Sequence, residues 1–288
     1  MELGIYAQNY VCEDQGNKNL CEIADSLKYC HDLGFTSLAY LTNIKRDDWE
    51  DRAFRLREML DERGVAIHDA HAPFNRFIRD PDDVYREYLR RSIEAASILG
   101  VKHMAFHGEP HITAEDEVYD SKAILEETYD FFAPFVDQAK KRNVGFNFEN
   151  VFENVFDNSL RRKRYIFTAD MYEELIPLIE KFNDPNVGCC WDFGHAQVEY
   201  RERQFEYFKD IFPYIRMTHV HENYFVRDLH LLPLLFDEMD WKPFVRYMKE
   251  NNYPGDFTFE FVFGSMTKEV MHEFLVLASM VGKHLLGL

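Results

Sequence analysis

The chain repeats one pattern along most of its length: an amphipathic stretch, a Gly or Asn, and then at once a short apolar run. Gly and Asn most readily adopt the left-handed backbone found at the C-terminus of a helix, so they mark helix ends. The apolar runs have the length of strands and are rich in aromatic and β-branched residues. The clearest stops are Gly34, Gly64, Gly100, Asn143 and Asn186. Helix, stop and strand in repetition predict parallel strands connected by helices.

Counting these units predicts eight strands and eight helices. The predicted strands lie at about 3–8, 35–41, 65–71, 101–107, 144–149, 187–192, 215–221 and 256–262. The predicted helices lie at about 19–32, 48–62, 82–98, 121–141, 169–182, 202–211, 241–250 and 267–286. Eight alternating units in 288 residues predict an α/β fold, the (β/α)8 TIM barrel. An open doubly wound sheet is the alternative, and the absence of G-x-G-x-x-G after the first strand weakens it.

Composition bounds the domain count and the compartment. No linker rich in Pro, Gly or Ser interrupts the chain, so we expect one domain over residues 1–288. No apolar run reaches the roughly 18 residues of a membrane span, and no signal segment precedes the first strand. Five cysteines without C-x-x-C spacing fit reduced thiols. We therefore expect a cytoplasmic protein with no membrane partner.

The formal net charge of −18 bears on the class of ligand. A chain this acidic repels a phosphate backbone unless a local basic patch or bound metal reverses the field. The run R-R-K-R at 161–164 is the one basic candidate, either as a clamp for a phosphorylated substrate or as a solvated loop or subunit contact. We favour the second interpretation, so nucleic acid is not expected as a partner, and the state of a homo-oligomer is left open.

One stretch, from Arg216 to His230, concentrates side chains that bind metals. Its five candidates are His219, His221, Glu222, Asp228 and His230. Imidazole and carboxylate together suit Zn, Mn, Fe or Co. The alternative is a polar loop that holds three histidines without a metal.

Alternation along the predicted strands extends this pattern to the rest of the chain. In a barrel, successive side chains face the helices and the barrel axis in turn. In the fifth predicted strand Val144, Phe146 and Phe148 share one side, which leaves Asn147 and Glu149 on the axial side. The same rule places six potential ligands on the axis: His71, His107, Glu149, Asp192, His219 and Glu260. Because two buried glutamates and an aspartate are hard to keep ionised without a cation, a metal site is favoured over a metal-free polar cluster.

Five further residues flank this axial set. His195 would come from the turn after the sixth strand, and Asp228 and His230 from the loop after the seventh. His221 and Asp69 are expected behind the ligands, where they would orient them.

The short motifs around these residues resemble the xylose-isomerase-like TIM-barrel superfamily, which includes sugar phosphate isomerases and epimerases and endonuclease IV. The matching pieces are H-A-P-F at His71, F-H-G-E at His107, F-E-N at Glu149, W-D-F-G-H at Asp192, H-V-H-E at His219, D-L-H at Asp228 and E-F at Glu260. Each piece is weak alone, but their order at successive strand ends covers nearly the whole chain.

Resemblance to the keto-sugar epimerases implies one divalent metal, Mn or Co, held by Glu149, Asp192, His219 and Glu260. The two glutamates would also be the catalytic residues, moving protons at the carbon being inverted. The arginine that follows the strand-seven histidine in those enzymes is missing here: Phe225 stands near its place and Arg227 two residues on.

Resemblance to endonuclease IV implies three zinc ions and nine ligands. The similar positions here are His71, His107, Glu149, Asp192, His195, His219, Asp228, His230 and Glu260. Against this enzyme, the seventh strand reads H-V-H-E-N in place of a polar H-x-N-D, and the chain has no clear basic surface for DNA.

The sequence therefore favours a metal-dependent sugar isomerase or epimerase with a small-molecule sugar as substrate. A divalent metal (Mn, Zn, Co or Mg) would stabilise the enediolate formed by proton transfer next to a carbonyl. His107 and His195 would hold hydroxyls, and rim aromatics could stack on the sugar: Phe74, Phe77, Phe152, Tyr224 and Phe263. The alternatives are a multi-zinc phosphoesterase like endonuclease IV and a non-catalytic sugar-binding barrel.

Overall fold

The strands of this protein form one large sheet and one small one. The computed structural model describes residues 1–11, 18–40, 42–74, 83–108, 110–113, 119–152, 163–225, 228–235 and 239–288. Within them the strands are β1 (Leu3–Ala7), β2 (Ser37–Leu38), β3 (Asp69–His71), β4 (His103–His107), β5 (Pro110–Thr113), β6 (Gly145–Glu149), β7 (Lys163–Ile166), β8 (Val187–Asp192), β9 (Ile215–Val220) and β10 (Phe257–Phe261).

Helices connect these strands. The α-helices are α1 (Gln8–Val11), α2 (Leu20–Asp32), α3 (Trp49–Glu62), α4 (Asp83–Leu99), α5 (Ser121–Lys141), α6 (Ile176–Phe182), α7 (Phe193–Tyr200), α8 (Gln204–Ile211), α9 (Trp241–Glu250) and α10 (Lys268–Leu286). A π-helical turn (Met171–Leu175) precedes α6, and 3-10 turns flank α8 at Arg201–Arg203 and Phe212–Tyr214. Among the described helices, none combines the length and apolar character that crossing a membrane requires.

The large sheet closes into a barrel. Its order is β2-β1-β10-β9-β8-β6-β4-β3, and each adjacent pair is parallel. A parallel bridge between Ala39 and Asp69 joins the two ends of this order. The backbone N–H of His68 also donates to the carbonyl of Leu38 across the same seam, at 2.9 Å. The eight strands and their helices confirm the (β/α)8 barrel, and the doubly wound alternative is wrong.

Aromatic side chains fill the layer between the strands and the helices. Phe106 of β4 and Phe146 of β6 stack with ring centroids 3.5 Å apart, and Phe132 of α5 lies edge-on against Phe146 and Phe148. All four rings are 1% exposed or less. Since these residues occupy the helix side of their strands, Asn147 and the other intervening side chains must point into the barrel, as alternation predicts.

Two segments that lie between the predicted strands and helices form the small sheet. β5 and β7 pair antiparallel, with Pro110 opposite Ile166, in the connections after β4 and β6. Lys163 and Arg164 of the basic run therefore belong to a strand, while 161–162 lie outside the described residues. β5 and β7 are only four residues long, which is too short for an alternation of apolar and polar residues to predict a strand.

A third segment, after β8, is a helix rather than a turn. The carboxylate of Asp192 accepts a hydrogen bond from the backbone N–H of His195 at 2.6 Å, which caps α7 directly at the strand end. His195 consequently lies in the first turn of α7.

Candidate metal centre

The predicted ligands lie at the C-terminal ends of the barrel strands. His71, His107, Glu149 and Asp192 are the last residues of β3, β4, β6 and β8. The strand register sets His107 beside Glu149 and Asp192 beside His219. Because all eight strands run parallel, their C-terminal ends meet at one face of the barrel, where active sites of this fold form.

Four of these residues form the central group: Glu149, Asp192, His219 and Glu260. One ligand atom from each lies within 4.8 Å of the others. His219 Nδ1 is 3.3 Å from Glu149 Oε2, 3.3 Å from Glu260 Oε2 and 3.8 Å from Asp192 Oδ2. All four side chains are buried, Glu260 the least at 9% exposed. The structure thus gathers three carboxylates and an imidazole in one enclosed space.

A second group shares Glu149. His71 Nε2 lies 3.1 Å from Glu149 Oε2, and His107 Nε2 lies 3.5 Å from the same oxygen. His71 Nδ1 lies 2.7 Å from the carbonyl of Ala72, the geometry of an Nδ1–H donor. That bond turns the Nε2 lone pair toward the site, the orientation of a metal-binding histidine.

A third group is built on Asp228, from the connection after β9. Asp228 Oδ2 lies 2.9 Å from His230 Nε2 and 3.5 Å from His195 Nε2. The other nitrogen of His195 lies 3.2 Å from Glu149 Oε1, so this group adjoins the central one. All nine ligand positions named from the sequence thus lie in three adjoining groups.

His221 lies between the central and third groups. Its Nε2 is 3.0 Å from Asp192 Oδ2, and its ring stacks on His230 with centroids 4.3 Å apart. Its ring also lies against Gly194 of α7, where an added Cβ would be 1.9 Å from His221 Cε1. The contact with Asp192 is the one expected of a residue that orients a ligand.

Asp69 and Glu222 have other partners. Asp69 accepts a hydrogen bond from Thr258 Oγ1 at 2.9 Å, and burial raises the pKa of its carboxyl to about 6. The Oε1 atom of Glu222 accepts hydrogen bonds from Trp241 Nε1 and the backbone N–H of Leu234. Glu222 therefore supports the loop after β9, although the sequence placed it among the candidate ligands.

Neighbouring carboxylates and imidazoles in the centre shift one another's pKa values. Burial alone would raise the pKa of the Glu149 carboxyl, but His219 and His107 hold it well below its usual range. Burial alone would lower the pKa of His219, yet neighbouring Cys190, Glu260 and Glu149 hold it well above its usual range. Carboxylates and imidazoles that stabilise each other's charged forms are groups that a divalent cation can join by displacing protons.

Among the buried side-chain atoms without a hydrogen-bond partner in the described residues are three of this centre: His219 Nδ1, His221 Nδ1 and Asp228 Oδ1. Such atoms carry a large desolvation cost unless something satisfies them. A divalent cation would do so, and the mixed nitrogen and oxygen donors suit Zn, Mn or Co. The residues present therefore fit a metal ion.

Aromatic rings border the centre on two sides. The Phe74 ring is 4.5 Å from that of His107, and the Phe152 ring is 5.3 Å from that of His195. Phe74 is 37% exposed, so it faces the open side. Phe263 is 3% exposed and packs against Phe274, so the structure favours a packing role for this ring over stacking on a sugar. Phe77 and Arg227 lie outside the described residues.

Residues 27–273 match the family model described as xylose isomerase-like TIM barrel. The chain belongs to this family. An uncharacterized protein of Sinorhizobium fredii, y4fM, is 23% identical over 181 residues, which are 60% of this chain and 51% of that protein. The match thus spans about half the length of that relative.

Solved structures of similar fold carry names from sugar chemistry. A putative xylose isomerase from Rhodospirillum rubrum matches with a TM-score of 0.76 at 16% identity, over 99% of each chain. D-psicose 3-epimerase, solved in the presence of D-fructose, matches with 0.71 at 15% identity over 100% of each chain. L-ribulose 3-epimerase matches with 0.71 at 16% identity, over 99% of this chain and 93% of that one. At these identities the likeness demonstrates the shared fold.

Proposed function

We propose that this protein is a divalent-metal-dependent sugar isomerase or epimerase. The observation that carries the proposal is the pair of buried glutamates, Glu149 and Glu260, whose carboxylates lie within 4.8 Å of each other and of His219 and Asp192. The names of the structural neighbours agree with this chemistry.

The reaction needs one group to remove a proton next to a carbonyl and another to return it. Glu149 is ionised at neutral pH because its histidine neighbours hold its pKa low, so it can accept a proton. Glu260 would be the second carboxyl, which returns the proton. A divalent ion held by the central group would supply positive charge where negative charge develops on the carbonyl oxygen.

The walls of the centre suit a neutral sugar. Phe74 and Phe152 offer apolar ring faces beside His107 and His195, whose ring nitrogens can bind hydroxyls. The net charge of −18 disfavours a phosphate ester by long-range repulsion.

The test is solvent exchange at the reacting carbon. A panel of keto-sugars is incubated with the metal-loaded protein in heavy water, and loss of the α-hydrogen signal is followed by NMR. We expect exchange in the wild type, loss of at least about 100-fold in Glu260→Gln, and no change in Glu250→Gln, an exposed glutamate on α9. Unchanged exchange in Glu260→Gln contradicts the acid–base role, and a wild type that exchanges no sugar contradicts the proposal.

A second candidate is a multi-zinc phosphoesterase. One observation favours it: the site has three adjoining groups of potential ligands, whereas a single metal ion needs only the central group. Bound ions would activate water and stabilise charge on a phosphate. Elemental analysis of metal per chain separates the candidates. In the mononuclear case Asp228→Asn keeps the single ion, and in the multinuclear case it lowers the metal count together with hydrolysis of a chromogenic phosphodiester.

A further inference from the structure

We infer that Thr168, fixed by Glu174, is a positioning residue that holds Glu149 in place for metal binding; this inference rests on the proposed function. The Thr168 hydroxyl donates a hydrogen bond to the backbone carbonyl of Glu149 at 2.7 Å. Glu149 is the residue that the central group and the His71–His107 group share, so its position affects both.

Thr168 has an uncommon backbone. Its φ is +83°, in the left-handed region, and its side chain is 0% exposed. A β-branched residue rarely adopts this region, and such a conformation persists only where the surroundings impose it. Contacts with neighbouring residues must therefore stabilise the positive φ of Thr168.

The carboxylate of Glu174 supplies one side of that constraint. Its Oε2 accepts hydrogen bonds from the backbone N–H of Thr168 at 3.0 Å and of Asp170 at 3.1 Å. Tyr119 donates its hydroxyl to the other carboxylate oxygen. Glu174 is 5% exposed and belongs to the π-helical turn Met171–Leu175, an arrangement often found at functional sites.

The end of β4 supplies the other side. Gly108 follows His107, and a Cβ added to it would lie 2.1 Å from the carbonyl oxygen of Phe167 and 2.8 Å from Thr168 Cγ2. The backbone at 167–168 is therefore pressed against the strand that carries His107 while it is bonded to the strand that carries Glu149. This contact adds to the pairing of β4 with β6, which sets His107 beside Glu149 with facing atoms 3.5 Å apart.

Removing the hydroxyl should release the strand end at Glu149 without touching any ligand atom. Partners behind metal ligands typically change metal affinity by about 10- to 100-fold when they are lost. The effect should follow the hydroxyl, because the carbonyl of Glu149 needs a donor and not a particular side-chain shape.

The experiment is a titration of the metal-free protein with Co²⁺, followed by its visible absorption. Thr168→Val, which keeps the shape and loses the hydroxyl, should raise the Kd by about tenfold or more. Thr168→Ser, which keeps the hydroxyl, should stay within about twofold of the wild type. Thr128→Val is the matched control, because Thr128 is also 0% exposed but lies in α5, and its hydroxyl has no partner among the described residues.

Equal Kd values for the wild type and Thr168→Val overturn the inference, as does an equal loss in Thr168→Ser. If Thr168→Val fails to fold by circular dichroism, Thr168→Gly replaces it, since glycine accepts a positive φ freely; it should show the same loss. A wild type that binds no Co²⁺ overturns the proposed function itself. Tight binding of Co²⁺ by every variant overturns only the role of Thr168.

Discussion

At the residue scale, the candidate centre depends most on Glu149. Its carboxylate faces an imidazole nitrogen on every side: His71 at 3.1 Å, His195 at 3.2 Å, His219 at 3.3 Å and His107 at 3.5 Å. A side chain with 1% exposure and four imidazole neighbours has little freedom to adopt another rotamer. This confinement favours the proposed role in proton transfer. A carboxylate that is already held in position has little conformational entropy left to lose when the substrate binds.

Glu174 provides a pH-dependent prediction at the same scale. Burial raises the pKa of its carboxyl from 4.5 to about 7, against opposing hydrogen bonds from Tyr119 and the backbone. Between these two values the unfolded chain has lost the proton and the folded chain keeps it, so stability falls as pH rises. The rise in pKa corresponds to about 3 kcal/mol of lost stability above pH 7.

We therefore expect Glu174→Gln, which cannot ionise, to gain stability relative to the wild type as pH rises from about 5 to about 8. Urea unfolding at each pH measures the difference in free energy of unfolding between the two proteins. The neighbouring Glu173 is exposed, so Glu173→Gln is the control for the same change of side chain outside the buried site. A constant difference for Glu174→Gln would mean that its pKa is not raised.

At the scale of elements, the junction of β8 and α7 brings ligands from two elements together. Asp192 ends the strand and caps the helix, and this places His195 one turn into α7. The absence of a side chain at Gly194 lets the ring of His221 approach from β9. One short sequence, D-F-G-H, therefore sets the relative positions of three potential metal-binding side chains.

Gly194→Ala tests this junction. Alanine favours a helix by about 1 kcal/mol over glycine, but here its Cβ would lie 1.9 Å from His221 Cε1. Overpacking of this kind costs about 1–3 kcal/mol, so we expect a net loss of stability. Chemical denaturation of Gly194→Ala, His221→Ala and the double variant forms a thermodynamic cycle. The alanine at 194 should cost less once the His221 ring is gone, because only Asn223 Nδ2, 2.7 Å from the added Cβ, then remains close. An additive result would mean that His221 is not the source of the clash.

The sequence predicted those parts of the fold that follow from the alternation of side chains along strands and from the Gly and Asn residues that end helices. Alternation in V-G-F-N-F-E placed Glu149 on the axis because Phe146 and Phe148 had to face the helices. Thr168 could not be found in this way: its role depends on a positive φ imposed by Glu174, and a threonine gives no local signal for that conformation. Glu222 was predicted as a candidate ligand because it lies beside His221 in the sequence. Its actual partner, Trp241, is distant in sequence and could not be inferred from the local motif.

At the scale of the whole molecule, metal and stability should be linked. An ion that binds only the folded barrel stabilises it by mass action, by about 4 kcal/mol when the free ion is 1,000-fold above its Kd. We expect Mn²⁺ to raise the Tm in differential scanning calorimetry and a chelator to reverse the increase. Glu260→Gln should reduce the increase because it removes a carboxylate from the central group. A Tm independent of Mn²⁺ would argue against binding at this centre.

The order of strands around the barrel has one further consequence. β10 lies between β1 and β9, so the earliest and latest strands to be synthesised are neighbours. During synthesis the seven other strands of the barrel are made first and leave two unpaired edges, at β1 and β9. Glu260 arrives only with β10, the strand that joins them. An ion that needs all four residues of the central group could bind only after β10 has joined the ring, because Glu260 is one of the four. For such an ion, binding would follow closure of the barrel and would not precede it.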